Sequence, residues 1–292
     1  MYELIQAGPQ SYYINSPAKA GIYVRENSDA YLIDSGGDKD AGKKILKILN
    51  GNGWNLQGII NTHSNADHIG GNRYLQKQTG CRIFSAAMEL PFIKHPFLEP
   101  SFLYGGYPCK DLRHKFLLAD ESEAVDLSDE NFPKELEVIP LPGHFFQMIG
   151  IRTPDNTVFL ADCLSSLETL EKYQVSFIYD VEKYLETLDM VGKMKAGLFV
   201  PAHAAADTDL KPLIERNREK ILEIEEKILE ICKMPSCFED IMKQLFDEYG
   251  LAMNFEQYVL VGSTLRSYLS WMKDKGKLDV DFSDNKLLWK AD

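Results

Sequence analysis

Thr62-His63-Ser64-Asn65-Ala66-Asp67-His68 is the stretch on which the reading of this chain turns. It packs two imidazoles, a carboxylate and an amide into one turn. It follows directly on Gly58-Ile59-Ile60-Asn61, a short apolar run that reads as a buried strand. The turn therefore stands at a strand end, where α/β proteins usually place their chemistry. Borderline-soft ions such as zinc take imidazole nitrogen and carboxylate oxygen at about 2.0–2.2 Å, and one short loop aims several such groups at a common point.

Working upstream, the first 35 residues alternate apolar and polar positions without a helix period. Tyr12-Tyr13-Ile14, Gly21-Ile22-Tyr23-Val24 and Ala30-Tyr31-Leu32-Ile33-Asp34 read as antiparallel strands, the last two joined by a tight turn at Asn27-Ser28-Asp29. Ser35-Gly36-Gly37 breaks the sheet, and Ile45, Leu46 and Leu49 then recur at helical spacing up to the stop at Asn50-Gly51-Asn52-Gly53. Downstream, residues 69–79 predict a helix and Cys81-Arg82-Ile83-Phe84 a strand. From Glu89 to about Pro133 the periodicity dissolves into prolines, the Gly105-Gly106 pair and the aromatics Phe92, Phe97, Phe102, Tyr104 and Tyr107. An excursion of this length is expected to be functional or to carry structure of its own, and a lid or substrate wall, a lid-like insertion over 89–133, is the preferred expectation beside an ordinary packed insertion.

Strand patterns return at Leu136–Ile139, Met148–Arg152, Val158–Leu160 and Gly197–Val200, with a helix over about Val181–Met194. Three further ligand types fall at these strand ends. His144 follows Pro142-Gly143, Asp162 closes Val158-Phe159-Leu160-Ala161, and His203 follows Val200-Pro201. A single histidine after a strand is more often a surface or core residue than a ligand. Here four of only six histidines stand at strand ends beside Asp or Gly, and that joint arrangement points to a metal site. Cys163 adjoins Asp162 but alternates to the opposite face and reads as core. His95 and His114 lie in the excursion, where a substrate-facing role and a plain surface role stay open.

The series His63-Ser-Asn-Ala-Asp67-His68, Pro142-Gly-His144, Ala161-Asp162 and Pro201-Ala-His203, preceded by Leu32-Ile33-Asp34-Ser35-Gly36, resembles the motif pattern of the metallo-β-lactamase superfamily over roughly residues 10–205. The resemblance implies an α+β fold, a four-layer αβ/βα sandwich with one or two metal ions on its upper edge. It assigns His63 and His144 to a first metal site and Asp67, His68 and His203 to a second, with Asp162 bridging and Asp34 as structural support. Asp67, His68 and Asp162 would also carry catalytic roles. Zinc is the expected ion, with iron or manganese as alternatives, and a metal-bound hydroxide would attack a small ester, thioester, lactone or related substrate. The chain departs from the pattern at Asn65, where the family has a histidine. A neutral amide oxygen is a poorer ligand, so the first site should bind metal more weakly.

Beyond Asp207 three amphipathic helices are expected, over Ile214–Cys232, Ser236–Tyr249 and Phe255–Lys273, followed by a ribbon over Leu278–Trp289 turning at Asp284-Asn285. This order is that of a winged helix and resembles the tail on a subgroup of β-lactamase-like hydrolases, some of which cleave RNA. The expected organisation is thus a catalytic domain over 1–207 and a winged-helix-like domain over 208–292, the latter a packing or dimerisation element. The segment from Asp207 on holds 13 Lys/Arg against 18 Asp/Glu, the wrong sign for phosphate binding. The whole chain of 292 residues carries a net charge of −12, which likewise disfavours nucleic acid and anionic membranes. A small-molecule substrate is the expected partner, and a homodimer stays open.

No apolar run approaches the roughly 18–20 residues that cross a bilayer, and the N-terminus shows no signal-peptide pattern. Five scattered cysteines, an odd number, read as reduced thiols of a cytoplasmic protein. Three other functional classes remain beside the hydrolase: a phosphodiesterase or nuclease lacking a visible basic groove, a mono-iron oxygen-using enzyme built on His63, His144 and Asp162, and a non-catalytic metal-binding or regulatory protein.

Overall fold

The alternation of the strands decides which face each side chain takes. In β3 (Ala20–Val24) and β4 (Asp29–Ile33), Ile22, Ala30 and Leu32 join one apolar cluster, while Tyr23, Tyr31 and Ile33 join another. Successive strand residues point to opposite faces, so a run that is buried throughout must be covered on both sides. In the computed structural model, which describes residues 2–291, this is so.

Seven strands form the first sheet, in the order β1 (Glu3–Gln6), β2 (Ser11–Asn15), β3, β4, β5 (Asn55–Ile60), β6 (Arg82–Ser85) and β7 (Val125–Asp126). The pairings are antiparallel as far as β4 and parallel from there to β7. Between β4 and β5 runs α1 (Lys39–Gly51), capped by the Asp38 carboxylate on the Ala41 N–H. The short α2 (Ala66–Ile69) and α3 (Asn72–Thr79) lie between β5 and β6. Ile45, Leu49 and Leu75 of these helices pack on Ile22, Leu32, Ile59 and Ile83.

The insertion after β6 carries α4 (Leu90–Lys94), α5 (Leu98–Tyr104) and a 3-10 turn at Lys110–Leu112. It is thus an ordered segment with an apolar cluster of its own, in which Leu103, Leu112 and Leu117 pack on Val259. The second sheet has only four strands: β8 (Glu137–Pro140), β9 (Ile149–Arg152), β10 (Thr157–Ser165) and β11 (Leu198–His203). The two sheets are therefore unequal in size. Between the sheets lie Tyr31, Ile33, Ile60 and Phe84 from one and Ile149, Ile151, Phe159 and Val200 from the other.

On the outer face of the second sheet pack α6 (Leu167–Tyr173), α7 (Val181–Lys193), α8 (Lys211–Ile231), α9 (Phe238–Tyr249) and α10 (Phe255–Asp274), closed by the hairpin β12 (Leu278–Ser283) and β13 (Lys286–Ala291). The order of layers is helices, sheet, sheet, helices: an α+β four-layer αβ/βα sandwich. The elements after residue 207 follow the expected helix–helix–helix–hairpin order. Ile221, Ile228, Leu245, Leu265 and Tyr268 share one apolar cluster with Val158, Leu160, Tyr184 and Leu188. They therefore have no separate core. Among the described residues no helix is long and apolar enough to cross a membrane.

One expected element is broken. The helix over 69–79 is two helices parted at Gly70-Gly71 because the backbone there lies against the turn after β4. Ser35 N donates to His68 O at 2.7 Å and Gly71 N to Gly36 O at 3.2 Å. A Cβ on Gly70 would stand 2.3 Å from the Gly37 carbonyl carbon. Gly70→Ala is expected to lower the unfolding free energy by about 1–3 kcal/mol, the usual cost of overpacking. Urea denaturation measures it, and an unmoved midpoint would show that the contact yields freely.

Candidate metal centre

All six proposed ligands meet at one edge of the sandwich, where the two sheets face each other. His63 follows β5, and Asp67 and His68 ride on α2. His144 lies between β8 and β9, Asp162 within β10, and His203 ends β11. Two groups form: His63, His144 and Asp162, and Asp67, His68 and His203, each with ligand atoms within 4.8 Å of one another. Asp162 is the residue within reach of both. Its Oδ1 is 3.1 Å from His68 Nε2, and its Oδ2 lies 3.2 Å from His203 Nε2 and 3.6 Å from His144 Nε2. Asp67 Oδ2 sits 3.3 Å from His203 Nε2 and 3.7 Å from His68 Nε2.

The outer hydrogen bonds orient the rings. His68 Nδ1 is 2.8 Å from Asp34 Oδ2, His144 Nδ1 3.1 Å from Phe177 O and His203 Nδ1 3.0 Å from Pro17 O. Thr62 Oγ1 donates to Asp34 Oδ2 at 2.7 Å, which leaves its lone pairs to accept from His63 Nδ1 at 3.0 Å. Carbonyl and carboxylate oxygens only accept, so each ring carries its proton on Nδ1 and turns the other nitrogen inward, the usual outer-shell arrangement of metal-binding imidazoles. His63 Nε2 is buried without a hydrogen-bond partner, and His68 Nε2 and Asp162 Oδ1, 3.1 Å apart, are buried with no partner beyond each other and not aligned for a good hydrogen bond. Buried polar atoms are rarely left so, and a divalent cation among them would satisfy all three. The donors present therefore fit a metal of the zinc type.

The charges agree with this reading. Burial disfavours the charged form of His68, but the carboxylates of Asp162, Asp67 and Asp34 outweigh it and hold its pKa well above the usual imidazole value. His203 likewise resists burial, Asp162 and Asp67 pushing it up to about 10. Against burial, the neighbouring histidines hold Asp162 well below the carboxylate range and lower Asp67. His63 and His144 are lowered, chiefly by burial. Asp67 is the open member, its side chain 44% exposed.

Local backbone sets these positions. Asp34 has φ +62 and Ala161 φ +50, a region non-glycine residues seldom occupy and one that recurs at functional sites. At Ala161 the β10–β11 register shifts on both sides. The strand continues through Asp162 to Ser165 rather than closing before it. Gly143 has φ +126 and lies so close to α7 that a Cβ would stand 2.3 Å from Tyr184 N. Its carbonyl accepts from Tyr179 N and Asp180 N, both at 2.9 Å, tying the His144 turn to the start of α7.

Two site residues escaped sequence reasoning. Glu89 accepts Ser64 N at 3.1 Å and Ser64 Oγ at 2.5 Å on one oxygen, and Gln147 N at 2.7 Å on the other. It thereby joins the histidine turn after β5 to the turn bearing His144. Glu99 accepts Asn65 Nδ2 at 2.8 Å and Ala66 N at 3.1 Å. Both are buried, and burial raises both carboxyls above their usual range. Their only signal in the sequence was a carboxylate at either end of Leu90–Leu98, a stretch apolar but for Lys94 and His95. His95 and His114 do not join the cluster: His95 is exposed at the end of α4, and His114 pairs with Glu256 at 3.1 Å. Cys163 is buried in the outer core, where burial and Asp162 raise its thiol.

The metallo-β-lactamase superfamily model matches residues 20–203, and the chain belongs to that superfamily. It is 36% identical over 73 residues to a hydroxyacylglutathione hydrolase of Methylococcus capsulatus, covering 23% of this chain and 28% of that one. It is 31% identical over 124 residues to a hydroxyacylglutathione hydrolase of Cereibacter sphaeroides, covering 42% of this chain and 40% of that one. The chain thus spans less than half the length of these curated relatives. A beta-lactamase domain protein from Burkholderia ambifaria has the same fold at TM-score 0.73 and 14% identity, over 99% of this chain and 94% of that one. A metallo-beta-lactamase family protein from Thermus thermophilus gives TM-score 0.74 and 17% identity, over 97% and 99%.

A proton held in the folded, metal-free site competes with a metal. His203, raised from 6.5 to about 10, and His68, also raised, hold theirs through neutral pH, so lowering the pH strengthens the competitor. Zinc binding is expected to release protons at pH 7 and to weaken as the pH falls. Calorimetry in buffers of different ionisation enthalpy measures the release, and a heat independent of buffer would contradict it.

Proposed function

We propose that the chain is a metal-dependent hydrolase of a small thioester or ester, working with zinc. The observation that carries this is the convergence of four imidazole Nε2 atoms on Asp67 and Asp162, every ring turned inward by an oxygen on its Nδ1. His63 and His144 would hold one ion and Asp67, His68 and His203 a second, with Asp162 between. A bound cation supplies a Lewis acid for the carbonyl oxygen and acidifies water. The partial similarity to hydroxyacylglutathione hydrolases supports a thioester within the ester class.

The protein's own groups divide the remaining work. Asp67 is the carboxylate open to solvent; with Oδ2 facing His68 and His203, its other oxygen is placed to take the proton that the attacking water gives up and pass it to the leaving group. Asp34 and Thr62 keep His63 and His68 in the required tautomer. Phe145 is buried against His63, and half-buried Phe92, Phe102, Phe146 and Tyr179 extend from it as one aromatic wall. That wall excludes water and suits an apolar acyl group. It belongs partly to the 89–133 insertion, which walls the site rather than only covering it. The elements after residue 207 support the site from behind. Thr264 Oγ1 accepts from Ile178 N at 3.1 Å, and Ser267 Oγ donates to Tyr179 O at 2.7 Å. A cleft around Arg25, Arg82, Phe132 and Lys134 lies at the opposite strand ends, and no ligand residue lines it. The five cysteines are free thiols, which suits a reducing compartment such as the cytoplasm.

Purified protein should contain zinc and hydrolyse chromogenic thioesters faster than phosphodiesters. Chelation should abolish turnover, and His144→Ala should cut kcat/KM by at least about a hundredfold. Iron in place of zinc would favour an oxygen-using enzyme on His63, His144 and Asp162. Metal without turnover of any substrate class would favour a binding protein.

A further inference from the structure

Asn65 stands where its superfamily has an imidazole ligand, and the structure shows how an amide is held there. An amide has two ends of nearly equal size, and only the oxygen can face a cation. At Asn65 the ends are sorted by an outside partner. Nδ2 donates at 2.8 Å to Glu99 Oε1, while Glu99 Oε2 accepts from Ala66 N at 3.1 Å. Glu99 comes from α5 in the insertion and is 4% exposed. Burial raises the Glu99 carboxyl, while the two N–H donors on its oxygens favour the ionised form; as a carboxylate it only accepts, so it takes the NH2 end and turns Oδ1 inward.

The inward end meets a second lone pair. Asn65 Oδ1 lies 3.3 Å from His144 Nε2, and His144 Nδ1 lies 3.1 Å from Phe177 O. With the proton on Nδ1, Nε2 has only its lone pair to offer. Two acceptors at this distance repel unless a cation lies between or beside them. The opposite orientation would place an N–H on His144 Nε2 and make a good hydrogen bond, but it would set Asn65 Oδ1 against the Glu99 carboxylate. Glu99 therefore decides which end is inside. Donation to a carboxylate also draws the amide toward its charge-separated resonance form and adds negative charge to Oδ1.

We propose that Glu99 is a positioning residue for the metal centre, holding the Asn65 amide so that its oxygen replaces the missing imidazole as a ligand in the His63–His144–Asp162 group. This rests on the metal-centre reading above. Here the insertion does more than wall the site, since it supplies the group that makes an asparagine serviceable.

The test is titration of chelator-treated, full-length protein with Co2+, followed by its d–d spectrum and by element analysis. A His144→Ala control identifies the binding step that belongs to this group. Glu99→Ala is expected to weaken that step about ten- to a hundredfold, the usual effect of losing an outer-shell partner, and to change its spectrum, leaving the Asp67–His68–His203 step in place. Asn65→Ala should do the same. The double variant should be no worse than Asn65→Ala, because Glu99 acts through the amide. Glu99→Gln has one oxygen for the two N–H donors that Glu99 satisfies, so it should lose affinity at this step as well, and an intact Asp67–His68–His203 step in either variant shows that the protein is folded. Wild-type affinity and spectrum in Glu99→Ala, losses that add in the double variant, or wild-type affinity in Glu99→Gln would each overturn the proposal. A wild-type protein that takes up no Co2+ would instead overturn the metal-centre reading itself.

Discussion

The carboxylate of Asp34 is the point on which the site hangs. It accepts Thr62 N at 2.8 Å, Thr62 Oγ1 at 2.7 Å and the His68 ring at 2.8 Å. Parallel pairing of β4 with β5 sets Ile33 beside Ile60, so the residues that follow each strand emerge side by side. The left-handed backbone at Asp34 turns its side chain back across that gap. One buried acceptor thus fixes the tautomer of His68 directly and that of His63 through Thr62, and both rings face inward before any ion arrives. Pre-set geometry of this kind reduces what binding must later reorganise.

Around that point the molecule is built as successive supports. Glu89 and Glu99 grip the histidine turn from one side, Glu89 through Ser64 and Glu99 through the Ala66 N–H that the short helix α2 leaves unpaired. Gly143, pressed on α7, carries His144 from the other. The turn at 177–180 that receives the Gly143 carbonyl is itself hydrogen-bonded to α10. The helices after residue 207 are therefore linked to the ligand set through two short steps. Their apolar faces are continuous with the outer face of the second sheet.

Much of this was legible in the residues. Period-two alternation located most strands, because a sheet covered on both faces imposes it. The six clustered His and Asp residues were legible because they stand at or just after apolar strands in conspicuous settings such as Pro142-Gly143-His144. What escaped depends on contacts between distant segments. Nothing local announces that Gly70-Gly71 meets Ser35–Gly37, so one helix was expected where there are two. The bulge at Ala161 that carries β10 past Asp162 is a matter of register with β11. Glu89 and Glu99 fall where the periodicity dissolves, and no local pattern signals that the fold buries them against backbone N–H groups. Strand β1 and helix α6 were missed as short elements with weak periodicity, and the pattern could not tell seven strands from four.

His63, Asp67 and His68 come from the seven-stranded sheet, and His144, Asp162 and His203 from the four-stranded one. An ion gripped by both sets is a rivet through the seam of the sandwich. Its hold and the alignment of the two halves are then a single thermodynamic quantity, since whatever favours one must favour the other by the same amount. A sideways slip of one sheet by a fraction of an ångström would be felt as a loosened rivet. The candidate metal centre is in that sense also a gauge of architectural fit.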